Sequence, residues 1–520
     1  MKAAESRPAT ALSPGLRRYL YLTATITGAA ILIVEILGAR MLAPYIGTSH
    51  FVWTAQIGVT LVALAAGYAA GGWLADRSHG LAKVYWGMVV AALWLCGAVQ
   101  VCEPVAYAAL RLPLPAASLL TSLALYFVPL AALAMVGPFF IRALTDRLGD
   151  VGSNTGRLSS VSTLGSVLGT ALVGYVLIPY FSNSATMVVT AAALVLAAVV
   201  YFVAWGREGA FAGMLAAGAG AALGYGAARS EPLQNIPGLR ELHRTNSNFG
   251  LMQVVETADG SRRFYLNNLL MQNSYDPATR QSVSVFTHLL HGLARAYHPD
   301  LHSVFCIGMG VGIVPQQFAR EGAAVEVVEI NPAVVPLAER FFGFEPGRVR
   351  LHLADGRWFA AVQTNQYDAV ILDAFLGESP PAHLMTREAF AVLRQRLRPG
   401  GVLVMNSFGD TGRRDFLTAS IARTLQAVFR SVRVHGAGLG NVFLVASDQP
   451  DLQFRRAPDI QAFHPSVRAE AREILEGRFE PVSGDGLVLT DDFNPVDFHE
   501  AATRENLRKR LAAAYRPDGR

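Results

Sequence analysis

The chain has 520 residues, of which 52% are hydrophobic and 16% are charged, and its formal net charge is +5. A chain of this length is expected to form two or three domains, and this composition is too apolar for a wholly soluble protein. Charged residues are rare in 19–228 outside short loops, whereas the remainder has ordinary globular usage. No basic run is interleaved with aromatic residues, which argues against a nucleic-acid partner. We therefore predict a membrane half followed by a soluble half.

Apolar runs in the first half are long enough to cross a bilayer, which takes about 20 residues of helix. Six such runs lie at 19–43, 52–75, 82–103, 117–142, 158–181 and 184–205. A seventh run, 210–228, consists mostly of Ala and Gly, so its insertion energy is marginal and its status is left open. Glycines spaced four apart predict close helix contacts, at Gly67 with Gly71 and at Gly165 with Gly169.

The distribution of basic residues predicts the orientation of these spans. Basic residues cluster before the first span (Lys2, Arg7, Arg17 and Arg18), between spans two and three (Arg77 and Lys83) and between spans four and five (Arg142, Arg147 and Arg157), whereas the intervening short loops carry almost none, Arg111 being the exception. By the positive-inside rule they place the N-terminus in the cytoplasm. Six spans return the soluble half to the cytoplasm, and seven would place it outside. We favour six, with 210–228 lying on the surface, packing against the bundle or pairing with an eighth element. The prediction is a multi-pass protein of the inner membrane, with the lipid bilayer as partner and the catalytic half cytoplasmic.

Glu35 and Arg40 stand in one apolar run, where an ionisable group is a candidate for function. A structural polar contact, or an Arg40 that reaches the interface, is the alternative. The stretch 67–77 is similar to the loop after the second helix of major facilitator transporters. A transporter or sensor of polyamine or nucleoside without turnover is therefore one alternative function.

The soluble half opens with strand-like alternation at 251–256 and 263–266 around a turn at 258–260, which predicts a β-hairpin and a small β-subdomain. Helical spacing follows over 282–297. A short buried strand at 303–307 then leads into a turn with Gly308, Gly310 and Gly312. Glycine is suited to a turn where the backbone approaches a ligand closely, although this motif alone is weak evidence.

Three further strands each deliver an acid near their carboxyl end. Strand 324–330 contains Glu329, strand 349–353 precedes Asp355 and Gly356, and strand 367–372 precedes Asp373. The carboxyl ends of parallel strands present their residues to one ligand, and an acid placed like Glu329 is suited to bind ribose hydroxyls. Structural alternatives are a solvated acid for Glu329, a tight turn for Asp355 and a helix cap for Asp373. No Walker sequence occurs, so a nucleoside is favoured over a nucleotide.

These patterns define the predicted fold class. It is a multi-span α-helical membrane domain (1–230), followed by a small β-hairpin subdomain with a helix (240–300), an α/β Rossmann-like domain of the methyltransferase type (301–500) and a basic tail (501–520). The cysteines Cys96, Cys102 and Cys306 lack metal-ligand spacing, so no metal is expected.

The soluble half also resembles a known family. The stretches that carry the resemblance are 247–256, 264–272, 304–312, 327–331, 349–359, 367–386 and 397–401. Over residues 245–445 the chain is similar to the polyamine aminopropyltransferases, the spermidine synthase family, and its fusion to a multi-span half resembles the membrane-bound spermidine synthase-like proteins. The resemblance implies decarboxylated S-adenosylmethionine, or S-adenosylmethionine itself, as co-substrate. It implies that Glu329 holds the ribose, that Asp355 and Gly356 contact adenine, and that Asp373 accepts a proton from the attacking amine.

The departures from the family concern the acceptor side. Val311 stands where the family has an Asp facing the donor amine, Leu376 replaces the second acid of an Asp-x-x-Asp loop, Gly250 replaces a Gln, and 286–288 reads Phe-Thr-His instead of Tyr-His-Glu. A buried dication without carboxylates costs several kcal/mol, which argues against putrescine. Residues that could contact the acceptor instead are Glu378, Asp491, Asp492 and His288, with His291 and His383 also considered.

The leading prediction is thus a membrane-bound enzyme that moves an aminopropyl group to a small-molecule amine. A methyl or alkyl transfer from S-adenosylmethionine to a membrane-delivered acceptor is the alternative, because Val311 removes the feature best suited to the decarboxylated donor. We also expect that the soluble half is able to form a homodimer.

Overall fold

The computed structural model describes residues 12–78, 80–145, 147–206, 210–229, 238–375, 380–411, 415–478, 486–499 and 505–510. The chain divides into two compact units, Met1–Leu233 and Gln234–Arg520. Each unit is described by itself.

The first unit is helical in the residues that the structure describes. Its helices are α1 (Pro14–Ile46), α2 (His50–Arg77), α3 (Ala82–Ala109), α4 (Leu114–Ala134), α5 (Val136–Leu144), α6 (Val151–Leu172), α7 (Ile178–Tyr180), α8 (Asn183–Ala204) and α9 (Ala210–Arg229). A π-helical turn, Val173–Leu177, joins α6 to α7. Six helical segments are long and apolar enough to cross a membrane, as the sequence predicts.

The fifth of these segments begins earlier than the sequence pattern predicts. The pattern predicts a span over 158–181, whereas the helical segment is Leu148–Leu177. The first turns of α6 are rich in Gly, Ser and Asn, a composition that is typical of a loop. Asn154 is buried there, and its Nδ2 donates to the carbonyl of Leu144 at 2.9 Å. Tertiary packing thus extends the helix through residues of low helix propensity.

Glycines permit the closest helix contacts, as predicted from their spacing. A Cβ on Gly67 would overlap the carbonyl of Ala131 in α4, and a Cβ on Gly165 would overlap the carbonyl of Thr25 in α1. One turn further along, Gly71 meets Met135, the residue that caps the C-terminus of α4, and Gly169 meets Ala29 of α1. Helices α2 and α4 therefore run parallel in close contact, and so do α1 and α6.

Helix α9 covers the run whose status the sequence leaves open. It packs against α3 and α8, with the position of a Gly224 Cβ 2.9 Å from Cγ1 of Val188 and that of Gly220 3.8 Å from Cγ2 of Val195. Gln100 in α3 donates to the carbonyl of Leu223 at 3.0 Å. The contacts show that α9 runs antiparallel to α8, packed along the bundle.

The second unit begins with an antiparallel sheet of order β1-β2-β3-β4-β5. Its strands are β1 (Leu239–Ser247), β2 (Gly250–Thr257), β3 (Arg263–Asn267), β4 (Leu270–Asp276) and β5 (Gln281–Ser282). The predicted hairpin is β2 with β3, in which Val254 pairs with Tyr265. The predicted helix over 282–297 begins only at Val285, because Ser282 belongs to β5 and pairs with Tyr275.

A larger sheet of order β11-β12-β10-β9-β6-β7-β8 follows. Its strands are β6 (Ser303–Ile307), β7 (Ala324–Glu329), β8 (Arg350–Leu353), β9 (Tyr367–Leu372), β10 (Leu397–Asp410), β11 (Ser431–Gly436) and β12 (Leu439–Ser447). The helices of this unit are α10 (Val285–Tyr297), α11 (Ile313–Arg320), α12 (Val334–Phe342), α13 (Gly356–Val362), α14 (Arg387–Gln395), α15 (Phe416–Gln426), α16 (Arg468–Glu476) and α17 (Val496–His499).

The pairing of this sheet is mixed. Strands β10, β9, β6, β7 and β8 are parallel neighbours, whereas β12 pairs antiparallel with β10 and β11. The central strands are apolar on both faces, and two hydrophobic clusters cover them, one on each side. This is a Rossmann-like α/β domain with a small β-subdomain before it, the fold class that the sequence predicts.

Candidate functional site

Four strands end side by side at the edge of the larger sheet. Their order is β9-β6-β7-β8, so the residues that follow them are neighbours although they are distant in the chain. Asp373 follows β9, Gly308 follows β6, Glu329 ends β7 and Asp355 comes two residues after β8. Backbone bonds tie these ends together, from the amide of Asp373 to the carbonyl of Ile307 at 2.9 Å and from that of Ala354 to the carbonyl of Glu329 at 3.0 Å. The structure therefore brings the predicted strand-end residues to one edge.

The glycine-rich turn needs glycine for two physical reasons. Gly308, Gly310 and Gly312 have φ values of +89°, +54° and +82°, in the left-handed region. In addition, a Cβ on Gly308 would overlap the carbonyl oxygen of Asp373, and one on Gly312 would overlap the ring of Phe344. The turn thus packs directly against the chain that follows β9.

Glu329 accepts two backbone hydrogen bonds at the end of β7. The amide of Met309 donates to Oε2 at 2.9 Å, and the amide of Asn331 donates to Oε1 at 2.8 Å. Burial raises the pKa of Glu329, while these amide donors act in the opposite direction. Each carboxylate oxygen retains a further lone pair, so the group is able to accept hydroxyl donors such as those of a ribose.

Asp355 is the N-cap of α13. Its Oδ1 accepts from the amide of Trp358 at 2.8 Å, and its Oδ2 lies 3.0 Å from Nε2 of His383. The helix-cap function thus occupies one oxygen, and His383 faces the other. Gly356 allows α13 to approach β6, because a Cβ there would overlap Cγ2 of Ile307.

Asp373 is half-buried and is held by an asparagine pair. Nδ2 of Asn406 donates to its Oδ1 at 2.9 Å, and Nδ2 of Asn441 donates to Oδ1 of Asn406 at 3.1 Å. Burial raises the pKa of Asp373 to about 6, with the hydrogen bond from Asn406 opposing the rise and the negative charge of Glu329 adding to it. A carboxylate with this pKa is ionised at neutral pH and basic enough to accept a proton.

Sequence reasoning missed both asparagines. Asn406 follows the apolar run 402–405 of β10 and is itself buried, while Asn441 lies opposite Phe408 on β12. A polar amide inside an otherwise apolar strand is the signal that would have drawn attention to Asn406.

Those of the predicted acceptor-side residues that the structure describes do not form one cluster. Glu378 lies outside the described residues. His288 is buried in α10, with Nε2 2.8 Å from the carbonyl of Ser282 and its ring stacked on Phe463. Burial lowers the pKa of His288. These contacts are those of a packed structural side chain.

Asp491 and Asp492 lie on a segment that reaches the rim of the site. Both residues are exposed, and Asp491 forms an ion pair with Arg357 of α13 at 2.5 Å and accepts from Oγ1 of Thr386 at 2.7 Å. The hydrogen bond from Arg357 lowers the pKa of Asp491 to about 2. The same segment accepts a hydrogen bond from the amide of Arg387 at the carbonyl of Leu489, 2.8 Å away. Asp491 therefore fastens this segment beside Asp355, through α13.

The fold and the site together define a class: a Rossmann-like α/β protein with a glycine-rich turn, an acid at the end of the second strand, and a second carboxylate, Asp373, beside the turn. A family model described as "Spermine/spermidine synthase domain" matches residues 284–437. A polyamine aminopropyltransferase of Vibrio vulnificus is 38% identical over 215 residues, which cover 39% of this chain and 71% of that protein. The chain belongs to the polyamine aminopropyltransferase, or spermidine synthase, family, and it is accordingly an enzyme of the aminopropyltransferase class.

Other relatives are more distant. Polyamine aminopropyltransferase 2 of Pseudomonas aeruginosa is 29% identical, over 37% of this chain and 60% of that protein. An N-terminal histidine N-methyltransferase of Emericella nidulans is 29% identical, over 37% of this chain and 38% of that protein. Among solved structures, a probable spermidine synthase from Corynebacterium glutamicum has 19% sequence identity and a TM-score of 0.41, over 48% of this chain and 97% of that one.

Proposed function

We propose that this protein is a membrane-bound aminopropyltransferase that moves the aminopropyl group of decarboxylated S-adenosylmethionine to an amine. The observation that carries the proposal is the position of Asp373, at the end of β9 beside the glycine-rich turn, with a pKa of about 6. The six long apolar helices of the first unit support insertion in a membrane.

The donor would lie along the ends of β6, β7 and β8. Glu329 would accept the ribose hydroxyls, and the turn from Gly308 to Gly312 would allow the backbone to approach the nucleoside. Asp355 and Gly356 would contact the adenine. Because Asp355 already caps α13 and faces His383, an adenine amine would have to share its Oδ2 with His383 or displace it.

The reaction requires a neutral amine. Its nitrogen lone pair attacks the methylene carbon next to the sulfonium, the carbon–sulfur bond breaks, and its electrons neutralise the sulfur as a thioether. The attacking nitrogen loses one proton, which Asp373 would accept. Asp373 also lies close enough to Glu329 for their negative charges to interact, and a cationic donor between them would be stabilised by both. Holding the two reactants together in this geometry would contribute much of the rate.

The acceptor is an amine other than putrescine in this proposal. Asp491 is already paired with Arg357, and His288 is bonded to the carbonyl of Ser282. The carboxylate of Asp491 is thus balanced by Arg357, and the imidazole of His288 carries no negative charge, so these two side chains fit a monoamine or a less charged amine better than a diamine.

The second candidate is transfer of a methyl or alkyl group from intact S-adenosylmethionine. Val311, which is only 1% exposed, supports it, because this apolar side chain stands in the turn where the family places an acid for the donor amine. Calorimetry with both donors distinguishes the two candidates. A clear preference for the carboxylated donor would contradict the aminopropyl proposal.

The direct test uses the full chain in lipid nanodiscs. It is incubated with each donor and a panel of mono-, di- and polyamines, and the products are identified by mass spectrometry. We expect methylthioadenosine together with an aminopropylated amine. Formation of S-adenosylhomocysteine with a methylated product, or of methylthioadenosine with a product that carries the carboxyl-bearing chain of the intact donor, would establish the second candidate.

We also propose that the protein lies in the inner membrane with its second unit in the cytoplasm, where the nucleoside donor is made. The basic residues of the first unit support a cytoplasmic N-terminus. Helix α9 packs antiparallel to α8. If α9 crossed the membrane completely, the second unit would lie on the outer side, so this proposal requires that α9 does not cross.

A further inference from the structure

A groove runs between α1 and α6 on the surface of the first unit. It contains two cavities that are widely open at the surface, one of about 630 Å³ lined by residues 152–161 of α6 and one of about 420 Å³ lined by residues 163–175. Both are also lined by α1, through Arg17 and Tyr21 in the larger cavity and Leu32 in the smaller. The two cavities therefore follow one another along the same pair of helices.

The two helices run parallel, so their N-terminal ends lie at the same level. Arg17 in the first turns of α1 donates from Nη2 to Oδ1 of Asn154 in α6, at 3.4 Å. Arg157 lies one turn further along α6 and lines the same cavity. Asp150 precedes α6 but does not line the cavity, and none of the lining residues is acidic. This end of the groove is therefore positively charged.

The other end of the groove is apolar. Its lining includes Leu32, Val167, Ala171 and Tyr175, and the exposed area of the lining atoms there is almost wholly carbon. From Arg157 to Tyr175 the helix rises about 27 Å, which exceeds the roughly 15 Å of one leaflet's hydrocarbon. The groove is thus long enough for an extended acyl chain.

Helix α6 also leaves more of its surface uncovered than its neighbours. In the most apolar window of this segment 17% of the residues are buried, against 28–56% in the other five segments. Its exposed face next to the groove carries small and hydroxyl-bearing residues, among them Gly156, Ser160 and Thr163. These leave space beside α1 that larger side chains would fill.

We propose that the groove between α1 and α6 binds one anionic phospholipid, with its phosphate on Arg17 and Arg157 and an acyl chain along Leu32, Val167 and Ala171. The proposal rests on the membrane insertion of the first unit and is independent of the transferase reaction. The two arginines at one end of the groove suit the phosphate of the head group, and the carbon-lined surface at the other end suits the hydrocarbon tail. None of the described residues that line the cavity is acidic, so the lining favours an anionic head group over a zwitterionic one.

A second copy of the chain is a weaker occupant. Two copies that meet through this face would bring two Arg17 and two Arg157 side chains together, and like charges at a contact oppose association. An anionic lipid removes that repulsion by supplying the opposite charge.

The test is native mass spectrometry of the full chain in detergent, titrated with phosphatidylglycerol or phosphatidylcholine of the same acyl composition. We expect one phosphatidylglycerol to bind selectively, and the double variant R17Q/R157Q to bind it about thirtyfold less tightly. The matched control is R77Q/K83Q, which removes two positive charges from the same face of the bundle outside the groove and is expected to bind as the wild type does.

A third variant, Ala171→Trp, fills the apolar end without changing charge, and we expect it also to weaken binding. It keeps the test decisive if R17Q/R157Q does not fold. Equal affinity for the two lipids, or equal losses in R17Q/R157Q and R77Q/K83Q, would overturn the proposal, because both indicate general surface charge. Equal competition by inorganic phosphate would also overturn it in favour of a free-anion site. A lipid-free dimer that Ala171→Trp dissociates would assign the groove to a second copy.

Discussion

Nδ2 of Asn406 donates a hydrogen bond to Oδ1 of Asp373 over 2.9 Å. The two residues are neighbours because β10 pairs with β9 in parallel, with Met405 opposite Leu372. Burial raises the pKa of Asp373 to about 6, and this hydrogen bond restrains the rise because it favours the charged carboxylate. The strength of the proposed base therefore depends on a residue 33 positions further along the chain.

The first prediction concerns Asp373 itself. Asp373→Asn keeps the shape of the side chain but removes the proton acceptor, so we expect kcat to fall by about 10² to 10⁴, and donor affinity to fall by less because the charge of Glu329 remains. Steady-state kinetics and calorimetry measure the two quantities. Asp259→Asn, at an exposed position in the turn between β2 and β3, is the control and should retain full activity. Full activity in Asp373→Asn would exclude the assigned role.

The second prediction concerns pH. A base must be ionised, so activity should be lost as the pH falls through about 6. Asn406→Leu removes the hydrogen bond that lowers the pKa of Asp373, so the acidic limb of the kcat/KM profile should move to higher pH. Asn441→Leu should move it in the same direction by less, because Asn441 acts through Asn406. An acidic limb that stays in place in Asn406→Leu would show that Asp373 does not control the rate.

The third prediction separates backbone strain from close packing in the glycine-rich turn. Gly308 and Gly322 have almost the same φ, +89° and +88°, but a Cβ on Gly308 would overlap Asp373 whereas one on Gly322 would meet nothing within 4 Å. Gly322→Ala should cost about 1 to 2 kcal/mol of stability and leave donor binding intact. Gly308→Ala should cost more and abolish donor binding. Equal effects of the two changes on donor binding would mean that the contact with Asp373 is unimportant.

The fourth prediction concerns topology. A single cysteine introduced at Asp150 reports on which side of the membrane the N-terminal end of α6 lies, and one introduced at Asp259 reports the side of the second unit. The native cysteines are buried and should therefore not react. We expect both positions to be protected from a membrane-impermeant maleimide in intact cells and labelled after lysis. Labelling of the Asp259→Cys variant in intact cells, with Asp150→Cys protected, would make α9 a seventh crossing and the cytoplasmic assignment wrong.

The fifth prediction concerns a buried amide in the first unit. Gln56 is fully buried against Gly38, and neither of its amide atoms has a partner in the described residues. An unsatisfied buried polar group costs about 1 to 3 kcal/mol, so Gln56→Leu should raise thermal stability. If the first unit transports amines, the same variant should lose flux of labelled polyamine in proteoliposomes. If flux persists in both Gln56→Leu and Asp373→Asn, neither side chain is required for transport.

Much of the architecture could be predicted from local pattern. The strands Ser303–Ile307 and Tyr367–Leu372 agree with the sequence prediction residue for residue, because each is a short apolar run bounded by turn residues. The fifth apolar segment was misplaced at its start, because Asn154 and its glycine-rich surroundings have low helix propensity. The small sheet was recognised only through β2 and β3, since β1, β4 and β5 lack clear alternation.

The sequence by itself determined that the chain has an apolar and a soluble half, and that Glu329, Asp355 and Asp373 lie at or just after the carboxyl ends of strands. These properties depend on the hydrophobicity of consecutive residues. Only the tertiary structure decided that β9 lies beside β6, that Asn406 and Asn441 hold Asp373, that Asp491 pairs with Arg357 and that α9 returns along α8. Contacts of this kind join residues that are far apart in the chain, and they are selected by the packing of the whole unit, on which local periodicity carries no information.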